Sequence, residues 1–448
     1  MIHAFSRALA LAAFVLAPAA QAALTPQEQT ISATIDAEYE RHVTLLAKLV
    51  NQNSGSMNLK GVEAVAQMMR TELEPLGFTV RWVPLPETGR AGHLIATHQG
   101  RKGAKRLLLI AHLDTVFELD SPFQTFTRRT GPGVDEAEGP GVGDDKGGMV
   151  TIVAALRAMK AAGTLKSANI EIHMTGDEED SGTPISLARR DLIAAGKQAD
   201  VALDFEGLVR DAGRDMGSIA RRSSNSWQIV ATAPSGHSSG IFSPSAGDGA
   251  IFELTRILAR FRAELPEPNL TFNIGLITGG QEAALDADGV RATAKGKTNI
   301  IPGIAIARGD FRTLSNDQTD RVRAKMAAIV ADHAPRTTAS ISFDEGYPPM
   351  APTEGNRALL SALNGVNADL GLAEMPALDP LKRGAGDISF VAADVDGLAG
   401  LGPFSRGDHA PGETVDLLSL KTQAKRAAIL MSRLAVEKST AQKGRVRR

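Results

Sequence analysis

The sequence predicts an α/β fold interrupted by a smaller α+β unit of ferredoxin-like order, and three observations carry that prediction. Four apolar runs, Leu107 to Ala111, Ile170 to Met174, Val201 to Phe205 and Val395 to Leu401, have the length and composition of buried strands. Helical periodicity precedes them, over Ile31 to Val50 and Val62 to Leu76. Between about Arg222 and Phe343 the rhythm changes to strand, helix, two strands, helix, strand.

In chain order, the first stretch has the form of a targeting segment. Arg7 stands before an apolar run, Ala8 to Leu16, and Ala20-Gln21-Ala22 offers a small-residue cleavage site, so the mature chain is expected to begin near Ala23 in a periplasmic or secreted setting. The run is shorter than the roughly 20 residues that a membrane span needs, and no other segment is a candidate span. After the two helical stretches, a turn at Gly77 leads into extended chain, Phe78 to Val83. The four buried runs lead towards His112 and Asp114, Asp177 to Asp180, Glu206, and Asp408 with His409. Ligands of open α/β sheets bind beyond the carboxyl ends of the strands, so these clusters are expected to converge on one crevice.

The inserted unit is read as strand Trp227 to Thr232, helix Ala250 to Leu265, strands Thr271 to Ile277 and Ile304 to Arg312, helix Thr319 to His333 and strand Thr338 to Phe343. From Gly346 the α/β pattern resumes and closes with an amphipathic helix, Leu417 to Val436, before a basic end, Lys443 to Arg448, read as a solvated tail. The organisation expected is therefore a targeting segment (1–22), a first catalytic part (23–221), the insertion (222–343), a second catalytic part (344–438) and the tail (439–448).

Composition narrows the function. The 448 residues carry a formal net charge of -2 and only 4% aromatics, which gives neither a basic surface nor a stacking platform for nucleic acid. Cysteine is absent, which suits an oxidising compartment and excludes a thiolate ligand or nucleophile. A metal site must then be built from His, Asp and Glu.

His112-Leu113-Asp114 places an imidazole and a carboxylate on one side of a strand end. Gly139-Pro140-Gly141-Val142-Gly143-Asp144-Asp145-Lys146-Gly147-Gly148 bends tightly before delivering acids at a helix start. It lacks the Gly-Lys-Ser/Thr ending of a phosphate loop, and a helix N-cap would account for one aspartate only. Asp177-Glu178-Glu179-Asp180 is a run of four acids whose repulsion calls for cations or solvent. Adjacent glutamates offer a division of labour between metal binding and proton handling. Asp204 competes with Glu206 for a ligand role.

Taken together these motifs resemble the zinc-dependent exopeptidase family of glutamate carboxypeptidases, aminoacylases and succinyl-diaminopimelate desuccinylases, closest to the glutamate carboxypeptidase type. The resemblance covers essentially the whole mature chain. It implies a di-zinc exopeptidase-type catalytic domain with a mixed central sheet and an inserted ferredoxin-like lid and dimerisation domain. It further implies two zinc ions per subunit, with Asp144 bridging, His112 and Glu206 completing one ion, and Glu179 and His409 the other. Glu178 becomes the general base, and Asp114 orients His112. Asp145 is left as structural.

The resemblance also implies that His237, in Pro234-Ser235-Gly236-His237-Ser238-Ser239-Gly240, stabilises the oxyanion, often from the partner subunit of a homodimer. Asn299 and Arg312 stand where relatives grip the substrate's carboxylate, and a guanidinium suits that task. Gly384 and Gly386 lie in a substrate-proximal loop. The expected substrate is a small peptide or N-acyl amino acid. Glutamate-releasing relatives carry extra basic residues near the exit of the insertion, whereas Asp344-Glu345 is acidic, so glutamate specificity does not follow. Two rivals stay open. Gly236 to Gly240 satisfies a serine-hydrolase Gly-x-Ser-x-Gly pattern but lacks a helix directly after the serine. A periplasmic binding protein shares the signal and two-lobed plan but has no need of acids and histidines at four strand ends.

Overall fold

The computed structural model describes residues 24–439, so the expected targeting segment and all of the tail except Ser439 lie outside the described residues. Its centre is a six-stranded mixed sheet of strands β1 (Thr79–Leu85), β2 (Arg90–His98), β3 (Arg106–His112), β4 (Asn169–Thr175), β5 (Val201–Asp204) and, late in the chain, β10 (Gly397–Leu398), arranged β1-β2-β4-β3-β5-β10. The four strands β4, β3, β5 and β10 run parallel, and β1 and β2 run antiparallel at one edge.

Both faces of this sheet are covered, which is why β3 and β5 read as near-continuous apolar runs. Leu107, Leu109 and Ala111 of β3 enter a core built with helices α1 (Pro26–Ala37), α2 (Tyr39–Val50), α3 (Leu59–Leu73), α4 (Lys146–Ala161), α7 (Glu354–Asp369) and α8 (Leu417–Leu434). The alternate residues Leu108 and Ile110 face a smaller core with Leu192, Ile388 and Val391. Parallel pairing sets His112 opposite Thr175 and Ile110 opposite Asp204, so the ends of three strands open at one level.

The second sheet follows the ferredoxin-like order. Strands β6 (Asn225–Thr232), β7 (Thr271–Gly280), β8 (Ile304–Arg312) and β9 (Thr338–Phe343) pair antiparallel as β7-β8-β6-β9, with α5 (Ala250–Glu264) and α6 (Asn316–Ala331) on one face. Its core is separate from those of the central sheet. Trp227 is fully buried there and meets the Phe261 ring edge-on at 5.7 Å. Two chain crossings join the sheets, and they run antiparallel to each other: Arg221 pairs with Met350 and Ser224 with Tyr347.

Three local expectations change. The single helix expected over 31–50 is two, parted at Glu38, whose carboxylate takes both Arg157 Nε (2.6 Å) and Nη2 (2.8 Å). The run 395–401 joins the central sheet only at Gly397–Leu398; Ala399 bridges instead to Ser218, and Gly400 turns the chain at φ 79°. Strand β2 adds to the expected strands, its apolar pattern being broken at His93. No described helix is long and apolar enough to cross a membrane.

Candidate metal centre

His112 closes β3 and is 2% exposed. Its Nδ1–H donates to the main-chain oxygen of Asp114 (3.1 Å), which leaves Nε2 directed at Asp144 Oδ1, 2.8 Å away. That bond selects the tautomer a metal ligand needs. Burial opposes charge on this imidazole, and Asp114 and Asp144 override it, holding its pKa well above the usual histidine value.

The carboxylate of Asp114 works more on the acidic turn than on the imidazole. Its Oδ1 stands 3.5 Å from His112 Nδ1, whereas it accepts from the Glu178 amide (3.0 Å); Oδ2 accepts from the Glu179 amide (3.1 Å) and from Ser56 Oγ (2.6 Å). The turn that presents both glutamates is therefore folded onto Asp114.

Asp144 is delivered by the glycine-rich loop, and the loop is shaped by a residue that sequence reasoning did not single out. Glu413 accepts from the amides of Gly141 (2.9 Å), Gly143 (2.7 Å) and Asp144 (3.0 Å). Gly141 has φ 68°, and a Cβ on it would lie 2.3 Å from Thr115 Cγ2, so glycine is required there twice over. Only the place of Glu413, four residues after His409, hinted at this. Asp145 is fully buried and accepts from the His112 amide (3.2 Å), in keeping with a structural role.

His409 arrives from the far end of the chain on a left-handed backbone, φ 65°. Its Nε2 lies 3.1 Å from Asp144 Oδ2 and 3.3 Å from Glu179 Oε2, and its side chain is 58% exposed. The structure thus brings His112, Asp144, Glu179 and His409 together, and donor atoms of the first three lie within 4.8 Å of one another. Burial and the neighbouring Asp144 push the Glu179 carboxyl up to about 9; burial and Glu206 raise Glu178 well above the carboxylate range. Such crowding of buried acids is relieved by cations. Imidazole and carboxylate donors without thiols suit zinc and similar divalent ions, so the residues fit a metal.

Glu206 is placed differently from its neighbours. Its carboxylate accepts from Arg221 Nη1 (2.7 Å) and Arg383 Nη2 (3.0 Å) rather than from a histidine. Asp204 also accepts from Arg221 (3.2 Å), and burial together with Glu206 lifts it to about 7. Arg221 in turn donates to the carbonyls of Gly384 (2.9 Å) and Ala385, tying the 383–387 loop to the acids. Behind this loop, fully buried Arg189 bridges Asp177 and Asp387.

The remaining candidates divide between the two sheets. A Cβ on Gly384 would lie 3.7 Å from Arg312 Nη1, so that guanidinium reaches the loop, with Arg222 beside it. Asn299 gives its carbonyl to the Ser238 amide (2.9 Å), and His237 is exposed with Nδ1 on Ser239 Oγ (2.8 Å). Neither makes a hydrogen bond to the acidic cluster. Ser238–Gly240 is a short 3-10 turn, not the start of a helix, which removes the nucleophile-elbow geometry.

Carboxypeptidase G2 of Pseudomonas sp. (strain RS-16) is 28% identical over 321 residues, 71% of each chain. A succinyl-diaminopimelate desuccinylase of Gluconacetobacter diazotrophicus is 25% identical over 371 residues, covering 79% of this chain and 88% of that one. The solved structure of a tripeptidase from Staphylococcus aureus superposes with a TM-score of 0.68 at 17% identity, covering 89% of this chain and 98% of the other, which shows a shared fold. The sequence model of Peptidase family M20/M25/M40 matches residues 108–433, a span that begins inside β3 and ends inside α8 and so takes in every residue gathered at the strand ends. The chain belongs to that family and is a metal-dependent hydrolase of the metallopeptidase class.

Proposed function

We propose that this enzyme is a two-zinc exopeptidase that hydrolyses the amide bond before a C-terminal residue bearing a free carboxylate. The observation that carries the reading is the meeting of His112, Asp144, Glu179 and His409 beside half-buried Glu178. His112, Asp144, Glu179, Glu206 and His409 would hold the ions, with Glu206 exchanging guanidinium contacts for a metal. When bound, the ions polarise the scissile carbonyl and acidify the attacking water. Glu178 takes the proton from that water at its carboxylate and returns it to the leaving amine. Arg312, with Asn299, receives the substrate's carboxylate, and the 384–386 loop lies along its backbone. His237 donates to the oxyanion from the partner subunit of a homodimer, which accords with its exposure. The targeting segment and the lack of cysteine support a periplasmic or secreted setting.

A second reading, an aminoacylase, dipeptidase or desuccinylase acting on other N-acyl amino acids, is favoured by one observation. The exit of the inserted unit is acidic, and Asp344 there is bound to Arg308 (2.9 Å). The deciding experiment is amino-acid release by the mature protein from a panel of N-acyl amino acids, folate-type glutamates and dipeptides, with zinc and with a chelator. Chelator-sensitive release is expected, and the best substrate separates the two readings. No release from any member refutes both.

A further inference from the structure

Each crossing between the two sheets sends one side chain to the candidate site. From the outgoing crossing, Arg221 reaches Glu206 and the Gly384 carbonyl. From the returning crossing, the Tyr347 hydroxyl donates to the carbonyl oxygen of Glu178 at 2.9 Å. With its one hydrogen so used, the phenolic oxygen accepts from Arg189 Nη2 (2.8 Å) and from Ser181 Oγ (2.9 Å). Arg189 cannot drift, because its Nε and Nη1 are spent on Asp387 and Asp177 in a fully buried pocket. The Tyr347 ring is wedged against Phe390, centroids 4.8 Å apart.

The peptide groups of Glu178 are thus pinned on both sides. Asp114 holds the amide (3.0 Å) and Tyr347 holds the carbonyl. Asp114 belongs to the central sheet's own loops, but Tyr347 is paired through its main chain to Ser224, the residue before β6. Any rotation of the inserted sheet about the crossings pulls on Tyr347 while Arg189 stays fixed.

We propose that Tyr347 is a positioning residue through which the orientation of the inserted sheet sets the placement of Glu178; this rests on the reading of Glu178 as the general base. Substrate that draws the inserted sheet over the site would complete the alignment of the base, so turnover and closure are coupled at one hydroxyl.

The test is Tyr347→Phe in the full-length zinc-loaded enzyme, which keeps the ring and deletes the hydroxyl. Turnover is expected to fall roughly 10-fold, with KM within about twofold of the parent, since a base displaced by a fraction of an ångström is felt in the chemical step. Zinc content should be unchanged. Amide hydrogen exchange should quicken in the 176–182 segment and not in β3. In a Glu178→Gln background the Tyr347→Phe change should cost nothing more, because the two act through one group. Ser181→Ala, which removes one donor to the same oxygen, is expected to act in the same direction with a smaller loss and serves if Tyr347→Phe folds poorly. Parental turnover in both single variants, a loss confined to KM, or a full additive loss in the Glu178→Gln background overturns the proposal. Near-parental activity of Glu178→Gln alone would instead refute the base assignment.

Discussion

Gly386→Ala adds a single methyl group at the place where the 383–387 loop meets the acids. The backbone there is extended, φ 177° and ψ 167°, so alanine adopts it freely and the whole cost is contact. The new Cβ would stand 2.4 Å from Arg221 Cζ, 2.5 Å from its Nη1 and 2.6 Å from Glu206 Oε1. Non-bonded carbon contacts sit near 3.5–4.0 Å, about 1 Å further out. Arg221 has no slack to yield, being 4% exposed and committed to Gly384, Ala385, Asp204 and Glu206. If the guanidinium holds, overpacking costs about 1–3 kcal/mol. If it is expelled, Asp204 and Glu206 lose a buried partner, at about 3–5 kcal/mol. A destabilisation of about 2–4 kcal/mol is expected, with weakened retention of the ion that Glu206 would hold. Urea unfolding of the metal-free protein reads the first quantity, and zinc stoichiometry by competition with a chromogenic chelator reads the second. An unfolding midpoint equal to the parent's with both zinc ions retained would refute the contact of this loop with Arg221.

Asp114→Ala strips acceptors from the Glu178 and Glu179 amides and from Ser56, so zinc affinity should fall about 10 to 100-fold and the fold should lose at least about 2 kcal/mol; parental zinc binding in a chelator competition would contradict the role assigned to Asp114. His42 is 1% exposed, and burial, helped by Arg157 and opposed by Glu38, lowers its pKa to about 4. Between pH 6.5 and about 4 the unfolded imidazole binds a proton that the folded one refuses, so stability declines as pH falls through that window and is level above it. The parent should therefore lose about 2 kcal/mol more than His42→Leu between pH 8 and pH 5, read by chemical unfolding at both values; equal losses would show that His42 is not the group responsible.

Legibility in the sequence followed how local each cause was. Strands β3 and β5 announced themselves because a doubly covered strand has no polar face, and Trp227 to Thr232 because alternation survives where one face is solvated. His112, Asp144, Glu179 and His409 were legible as polar residues following strands or lying in glycine-rich turns, and the family resemblance supplied their roles. What escaped was held by contacts between distant parts of the chain. Glu413 shapes a loop some 270 residues earlier, Arg189 joins Asp177 to Asp387, and Tyr347 meets Glu178 across the inserted unit. None of these leaves a periodic trace. The guanidinium contacts of Glu206 were equally silent, since Arg221 and Arg383 come from opposite sides of the insertion.

His409 and His112 are separated by nearly 300 positions along the chain yet flank the same Asp144. An ion held among them is a clasp between the opening and the closing stretches of the polypeptide, and it forms only once both have folded. Its binding energy is then folding energy, growing with the logarithm of free metal concentration. Because His409 is the most exposed of the cluster, the clasp opens from that side. Scarcity of the metal would register first as a loosened loop around His409, open to proteases, before any change in the sheet beneath it.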